Sequence, residues 1–198
     1  MVICVAGPIA AGKNYVCSIL EERGFFCVDA DLVIHQVIKE KEEEIFLQFK
    51  EEAAAAGLEL KKSDGSLDRR ALGELLFKDS ALLAEQEKIL YPEFVARVQA
   101  LIDTENESKP KIARGLVINA ALLYKTPSLL RQCQKIIYVD APLLVRAWRI
   151  RRRDRLPLLQ IIRRIKSQKG LLQEYKRFAS DYGIEMVVVR NWGKRLSF

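Results

Sequence analysis

The chain has 198 residues, enough for one domain with a sizeable core. An apolar fraction of 49% and a charged fraction of 30% are ordinary for a soluble globular protein, which excludes a repetitive or low-complexity chain. The formal net charge of +7 suits an anionic partner, either nucleic acid or a polyphosphate metabolite.

Val2-Ile3-Cys4-Val5-Ala6 is a short apolar run that reads as a strand buried on both faces. It has no basic region before it and is only five residues long, so neither a signal peptide nor a membrane span is expected. Gly7-Pro8-Ile9-Ala10-Ala11-Gly12-Lys13-Asn14 follows directly, and residues 15–24 read as a helix closed by Gly24. Strand, glycine-bounded loop, lysine and helix make the context of a phosphate-binding P-loop. The two glycines let the backbone curl so that its N–H groups face one anion. The helix N-terminus adds a partial positive charge and Lys13 a full one. The strict motif ends in Ser or Thr, whose hydroxyl binds magnesium; here that position is Asn14.

A second strand, expected to be buried, covers Phe25-Phe26-Cys27-Val28 and ends in Asp29-Ala30-Asp31. Ligands gather at the carboxyl ends of strands in an open parallel sheet, so both carboxylates are expected near the P-loop. One can cap the helix expected over residues 32–38, and the other is free to take a proton or hold a metal's water. His35, the only histidine, has no nucleophile pattern around it and reads as structural. The four cysteines, Cys4, Cys17, Cys27 and Cys133, lack metal-type spacing and read as reduced thiols, which points to a cytoplasmic location.

Residues 39–56 are rich in Glu, Lys and Ala and read as a solvated helix ended by Gly57. Residues 61–66 form a turn, and a helix follows with Asp68 as its cap. A long amphipathic segment over residues 80–102 is expected to kink or split at Pro92, near Tyr91. The polar stretch 103–111 closes this helical block, which reads as an insertion forming one wall of a substrate cleft.

Three further strands are expected at Leu116-Val117-Ile118-Asn119, Ile136-Ile137-Tyr138-Val139-Asp140 and Met186-Val187-Val188-Val189. Between the last two lies a basic element, residues 146–155, in which Arg149 and Arg153 share a helical face. It can be a solvated face, a nucleic-acid stripe, or a lid closing cations over a nucleotide's phosphates; the P-loop favours the lid.

Together these pieces resemble the dephospho-CoA kinase family over nearly the whole chain. The specific marks are the P-loop, Asp29-Ala30-Asp31, residues 64–72, Leu90-Tyr91-Pro92, Leu122-Leu123 and Val139-Asp140-Ala141-Pro142. Arg149 through Asp154, Gln168, and Asn191 followed by Gly193 complete them. The resemblance implies an α/β fold: a P-loop NTPase-type parallel sheet with flanking helices, a helical substrate-binding insertion and a helical lid. As one kinase-like domain over residues 1–198, the core would span about 1–38, 111–142 and 184–193, the insertion about 39–110 and the lid about 143–170.

By the same resemblance the reaction is ATP-dependent phosphorylation of the ribose 3′-hydroxyl of dephospho-CoA, the last step of coenzyme A biosynthesis, with ATP and Mg2+ as cofactors. Asp31, Lys13 and Arg153 would be catalytic. Gly7, Ala10, Ala11, Gly12, Lys13, Asn14, Tyr15, Arg149, Arg153 and Asn191 would bind ATP, with Asn14 also at the metal. Asp29, Asp31, Asp68, Arg69, Tyr91 and Leu122 would bind the acceptor. The implied partners are these small molecules, with no nucleic acid and no membrane, for a monomer or weak homo-oligomer. The chain departs from the family pattern at Asn14, Tyr91, Ala121 and Lys125. The competing readings are another P-loop small-molecule or nucleotide kinase, and a catalytically weakened nucleotide-binding relative.

Overall fold

The computed structural model describes residues 1–107, 113–192 and 196–197. The chain divides into two compact units, one of Met1–Ala30 with Gln99–Phe198 and one of Asp31–Val98. In chain order the first elements are β1 (Val2–Ala6), α1 (Lys13–Glu22) and β2 (Phe26–Asp29). Then come α2 (Ala30–Glu40), α3 (Glu42–Ala55), α4 (Arg69–Lys78) and α5 (Ser80–Glu107). After β3 (Leu116–Asn119) and a 3-10 turn at Leu123–Lys125 comes the short α6 (Pro127–Leu130). The chain continues with β4 (Lys135–Asp140), α7 (Leu143–Asp154), α8 (Leu158–Lys166) and α9 (Leu171–Tyr182). It ends with β5 (Glu185–Asn191) and β6 (Leu196–Ser197).

The larger unit is a sheet in the order β2-β3-β1-β4-β5-β6, with the first five strands parallel and β6 antiparallel. Every residue of β1 is buried, as its unbroken apolar run requires. It pairs with β3 on one side and β4 on the other, so the chain leaves β1 at a point where strand order diverges. That is where an open parallel sheet leaves a crevice at its carboxyl ends, and it sets the loop after β1 there. β2 differs from the expectation of a buried strand: it is the edge of the sheet, and Phe26 is half exposed. Helix α1 closes against the sheet through Val16, Cys17 and Leu20, which pack with Ile3, Val5, Val117 and Val139.

The smaller unit is helical and has its own core of Val37, Ile45, Phe49, Leu60, Leu67, Leu72, Leu75, Leu76 and Leu90. Helix α3 is not the wholly solvated helix its Glu/Lys content suggests. Ile45, Phe49 and Ala53, four apart, form a buried stripe on one side of it. The turn before α4 is closed by a bridge between Lys61 and Leu67, with Gly65 at φ 82°. Asp68 Oδ1 accepts from the Arg70 and Ala71 N–H groups at 2.8 and 3.1 Å, which caps α4 and holds its carboxyl below the usual range.

Pro92 does not split α5, which runs unbroken through it. A proline inside a helix costs roughly 3 kcal/mol through its missing N–H and ring clash. Leu90, Phe94, Val98 and Ile102 all lie buried at four-residue spacing. At about 1.5–3 kcal/mol per buried large apolar side chain, that stripe outweighs the proline. The compact helical unit begins at Asp31 and ends at Val98, where the expected insertion ran from about 39 to 110. Helix α2 joins it because Ile34, Val37 and Ile38 pack into the helical core. Gly193 and the end of the polar stretch, 108–111, lie outside the described residues. No helix among the described residues is long and apolar enough to cross a membrane.

Candidate active site

The loop after β1 is shaped by two positions that only glycine fits. At Gly7, φ is 142° and a Cβ would lie 2.1 Å from the Val139 carbonyl oxygen of β4. At Gly12, φ is 99° and a Cβ would lie 2.1 Å from Asn191 Nδ2. The loop therefore lies hard against the ends of β4 and β5, with Gly12 capping α1 in the left-handed region. Ala10 is also left-handed, at φ 59°. Lys13 opens α1 and donates from Nζ to the Gly7 carbonyl at 3.1 Å, so its cation sits across the mouth of the loop. Loop amides, a helix N-terminus and a lysine thus converge on one small region.

Side chains of α7 hold this loop through its carbonyls. Arg149 Nη1 donates to Ala10 O at 3.0 Å and Ala11 O at 3.1 Å, and its Nη2 donates to Asn191 Oδ1 at 3.1 Å. Asn191 is buried at the end of β5 and donates from Nδ2 to Ala11 O at 3.0 Å. The sequence singles out Arg149 and Asn191 as nucleotide contacts, and the structure places both against the loop backbone. Arg153, one turn farther along α7, is exposed and pairs with Asp154 at 2.6 and 3.0 Å, while Arg164 of α8 shares the same carboxylate. These guanidinium groups hold the Asp154 carboxyl below its ordinary range. Arg155, left-handed at φ 52°, ends α7 before α8 packs back on it.

Asn14 lies one residue into α1, exposed, and its Oδ1 accepts from Asn119 Nδ2 at 2.9 Å. Asn119 is the buried last residue of β3, in register with Asp29 at the end of β2, and its own Oδ1 has no hydrogen-bond partner among the described residues. A magnesium ion wants oxygen ligands and commonly keeps several waters. The set here fits one. Asn14 Oδ1 has a second lone pair, the orphaned Asn119 Oδ1 can accept from a water, and a carboxylate stands one strand away.

Tyr15 is exposed on α1, and Leu122 is exposed just before the 3-10 turn. Asp31 is exposed in the first turn of α2, the first residue of the helical unit. Asp68 is a cap, Arg69 is the exposed residue after it, and Tyr91 packs against the helical core. The sequence gives no site role to Asn119 or Arg146. The one signal for Asn119 is a polar residue ending an apolar strand; for Arg146 it is a position three before Arg149 on one helical face. The four cysteines are free thiols, and burial pushes Cys17 and Cys133 up to about 12 and Cys27 to about 11. They are poor nucleophiles.

Residues 1–187 match the family model described as dephospho-CoA kinase. The chain is 36% identical over 192 residues to dephospho-CoA kinase of Treponema denticola, covering 97% of this chain and 82% of that one. It is 37% identical over 168 residues to the Treponema pallidum protein of the same name, with 85% and 78% covered. A crystal structure of a Thermus thermophilus protein superposes with a TM-score of 0.76 at 25% identity, covering 98% of this chain and 90% of that one. Dephospho-CoA kinase from Campylobacter jejuni shares the fold, with a TM-score of 0.56 at 22% identity and coverage of 98% and 89%.

Proposed function

The chain belongs to the dephospho-CoA kinase family and carries out the ATP-dependent phosphorylation of dephospho-CoA in coenzyme A biosynthesis, and we propose how its own residues divide that work. The observation that carries the proposal is the loop between β1 and α1, with its left-handed Gly12 and with Lys13 across its mouth. Loop amides and Lys13 take the β- and γ-phosphates of ATP, Lys13 exchanging Gly7 O for phosphate oxygen. Arg153 exchanges Asp154 for the transferring phosphate as α7 and α8 close over the nucleotide. Arg149 and Asn191 serve the same site from behind, through the loop carbonyls.

Asp31 stands beside the acceptor hydroxyl. A ribose hydroxyl is a far weaker acid than an aspartic acid, so Asp31 does not remove its proton beforehand. It orients the 3′-hydroxyl and accepts its proton while the oxygen bonds to the γ-phosphorus and the bond to the ADP oxygen breaks. Asp29, Asp68, Arg69, Tyr91 and Leu122 hold the acceptor. Asn14, and Asn119 through a water, would hold Mg2+, which would supply charge neutralisation to the transferring phosphate. The four free thiols support a cytoplasmic location, for a monomer or weak homo-oligomer acting on small molecules and not on nucleic acid.

A coupled assay with ATP, Mg2+ and dephospho-CoA tests the assignment. ADP release with dephospho-CoA and none with nucleosides is expected; the reverse pattern overturns it. A magnesium titration at saturating ATP tests Asn14. An Asn carbonyl sits one bond farther out than a Thr hydroxyl, and here it already accepts from Asn119. Asn14→Thr is therefore expected to lower the magnesium concentration for half-maximal rate. An unchanged curve or a slower variant would show that the site is adapted to asparagine.

A further inference from the structure

One loop residue, Ile9, is gripped on both its flanking peptides by side chains of the α7–α8 segment. Gln168, just past α8, accepts the Ile9 N–H on its Oε1 at 2.6 Å. Arg146 of α7 donates from Nε to the Ile9 carbonyl at 2.9 Å. Both backbone groups of a residue at the tip of the loop are thus taken by side chains more than 130 positions away in sequence. Arg146 is only 8% exposed, and its Nη2 has no hydrogen-bond partner among the described residues. A buried guanidinium with an idle nitrogen is costly, and burial lowers its affinity for the proton; the Asp140 charge works the other way. An arginine kept on those terms needs a compensating task.

We propose that Arg146 and Gln168 are positioning residues that clamp Ile9 through the two peptides that flank it and so preset the phosphate-binding loop for ATP. The inference rests on the kinase reading of that loop. A bond to the Ile9 oxygen pulls electron density from the same amide whose N–H belongs to Ala10, which makes that N–H a stronger donor. Arg149 acts alike on the Ala10 and Ala11 carbonyls, the latter belonging to the amide of Gly12. Three successive carbonyls, of Ile9, Ala10 and Ala11, therefore accept from two arginines three apart on one face of α7. With its carbonyls held on one side, the loop presents amide hydrogens to an anion on the other. Ala10, left-handed without being glycine, is kept in that conformation by the grip on both its neighbouring peptides. The loop then loses little freedom when ATP arrives, and affinity gains by that amount.

The test compares ATP and dephospho-CoA affinity by calorimetry in the wild type, Arg146→Met, Gln168→Ala and the double variant. Amide proton shifts of Ala10 and Gly12 are read by NMR. Arg146→Met keeps the bulk of the stem, and an unchanged dephospho-CoA affinity certifies the fold. Bonds to charged groups of this kind lead us to expect ATP affinity to fall roughly 10- to 100-fold in Arg146→Met. The Ala10 amide should move upfield, and guanidinium ion should restore part of the affinity in Arg146→Ala. Because both side chains hold the same residue, the double variant should lose less than the product of the single losses. ATP affinity within twofold of wild type in both single variants, with unmoved Ala10 and Gly12 amides, overturns the clamp and leaves the kinase reading intact. A wild type that does not bind ATP at all overturns the kinase reading of the loop itself.

Discussion

Lys13→Ala is expected to lower turnover by roughly 10²–10³-fold and to weaken ATP binding, as removal of a preorganised charge at the transferring phosphate does. Two effects add. The first is loss of the full cation across the mouth of the loop, which leaves amide dipoles, a helix end and the Arg146 and Arg149 guanidinium groups bound to the loop carbonyls. The second is structural: the bond from Lys13 Nζ to Gly7 O is a brace across the mouth of the loop. Lys13→Met keeps the length of the side chain without the charge or the brace and should behave like alanine. Lys13→Arg keeps charge but carries a larger planar head and should retain only part of the rate. Steady-state rates and ATP calorimetry check all three, and full activity in Lys13→Ala would remove the loop from the mechanism.

Asp31→Asn is expected to cut turnover by roughly 10²–10⁴-fold while leaving ATP affinity within about twofold, the signature of a lost proton acceptor. An amide can still orient the hydroxyl but cannot take its proton. Two carboxylates compete for this role. Asp29 is the last residue of β2, half-buried and in register with Asn119, whereas Asp31 is exposed in the first turn of α2. Exposure suits a group that must meet an incoming substrate and later release its proton to water. The position of Asp29 beside Asn119 suits a group that serves the metal or the strand end. Measuring Asp29→Asn alongside separates them. A loss confined to turnover in Asp29→Asn, with Asp31→Asn near wild type, would reverse the two roles.

Much of this was legible because the deciding interactions are local. Five apolar residues in a row make β1 a buried strand; glycines at 7 and 12 permit the loop; Asp68 caps the helix that begins at the next residue. Each of these depends on neighbours within a few positions, and the residue types alone carry the information. Diluted periodicity hides burial, and an apolar run alone does not give strand order. The apolar stripe of α3 hides among glutamates and lysines, and β2 looks like a core strand although it is the edge of the sheet. An apolar run states that a strand can be buried, but only the strand order states on how many sides.

The sequence by itself determined the family, the phosphate-binding loop, the parallel sheet and the residues available for chemistry. Tertiary structure decided what several of those residues touch. A charge run on a helix has the same local signature whether it faces water, nucleic acid or its own protein. Here Arg149 and Arg146 face the loop, while Arg153 faces Asp154. Asn14, a mismatch when read as a motif, turns out to be one half of an amide pair whose other half, Asn119, is 105 positions away. Ile9 and Arg146 are 137 positions apart, and nothing within a turn of either announces the other. Helix and strand follow from bonds between near neighbours, but the partner of a buried polar side chain is chosen by whichever backbone or amide the packed sheet brings within 3 Å of it.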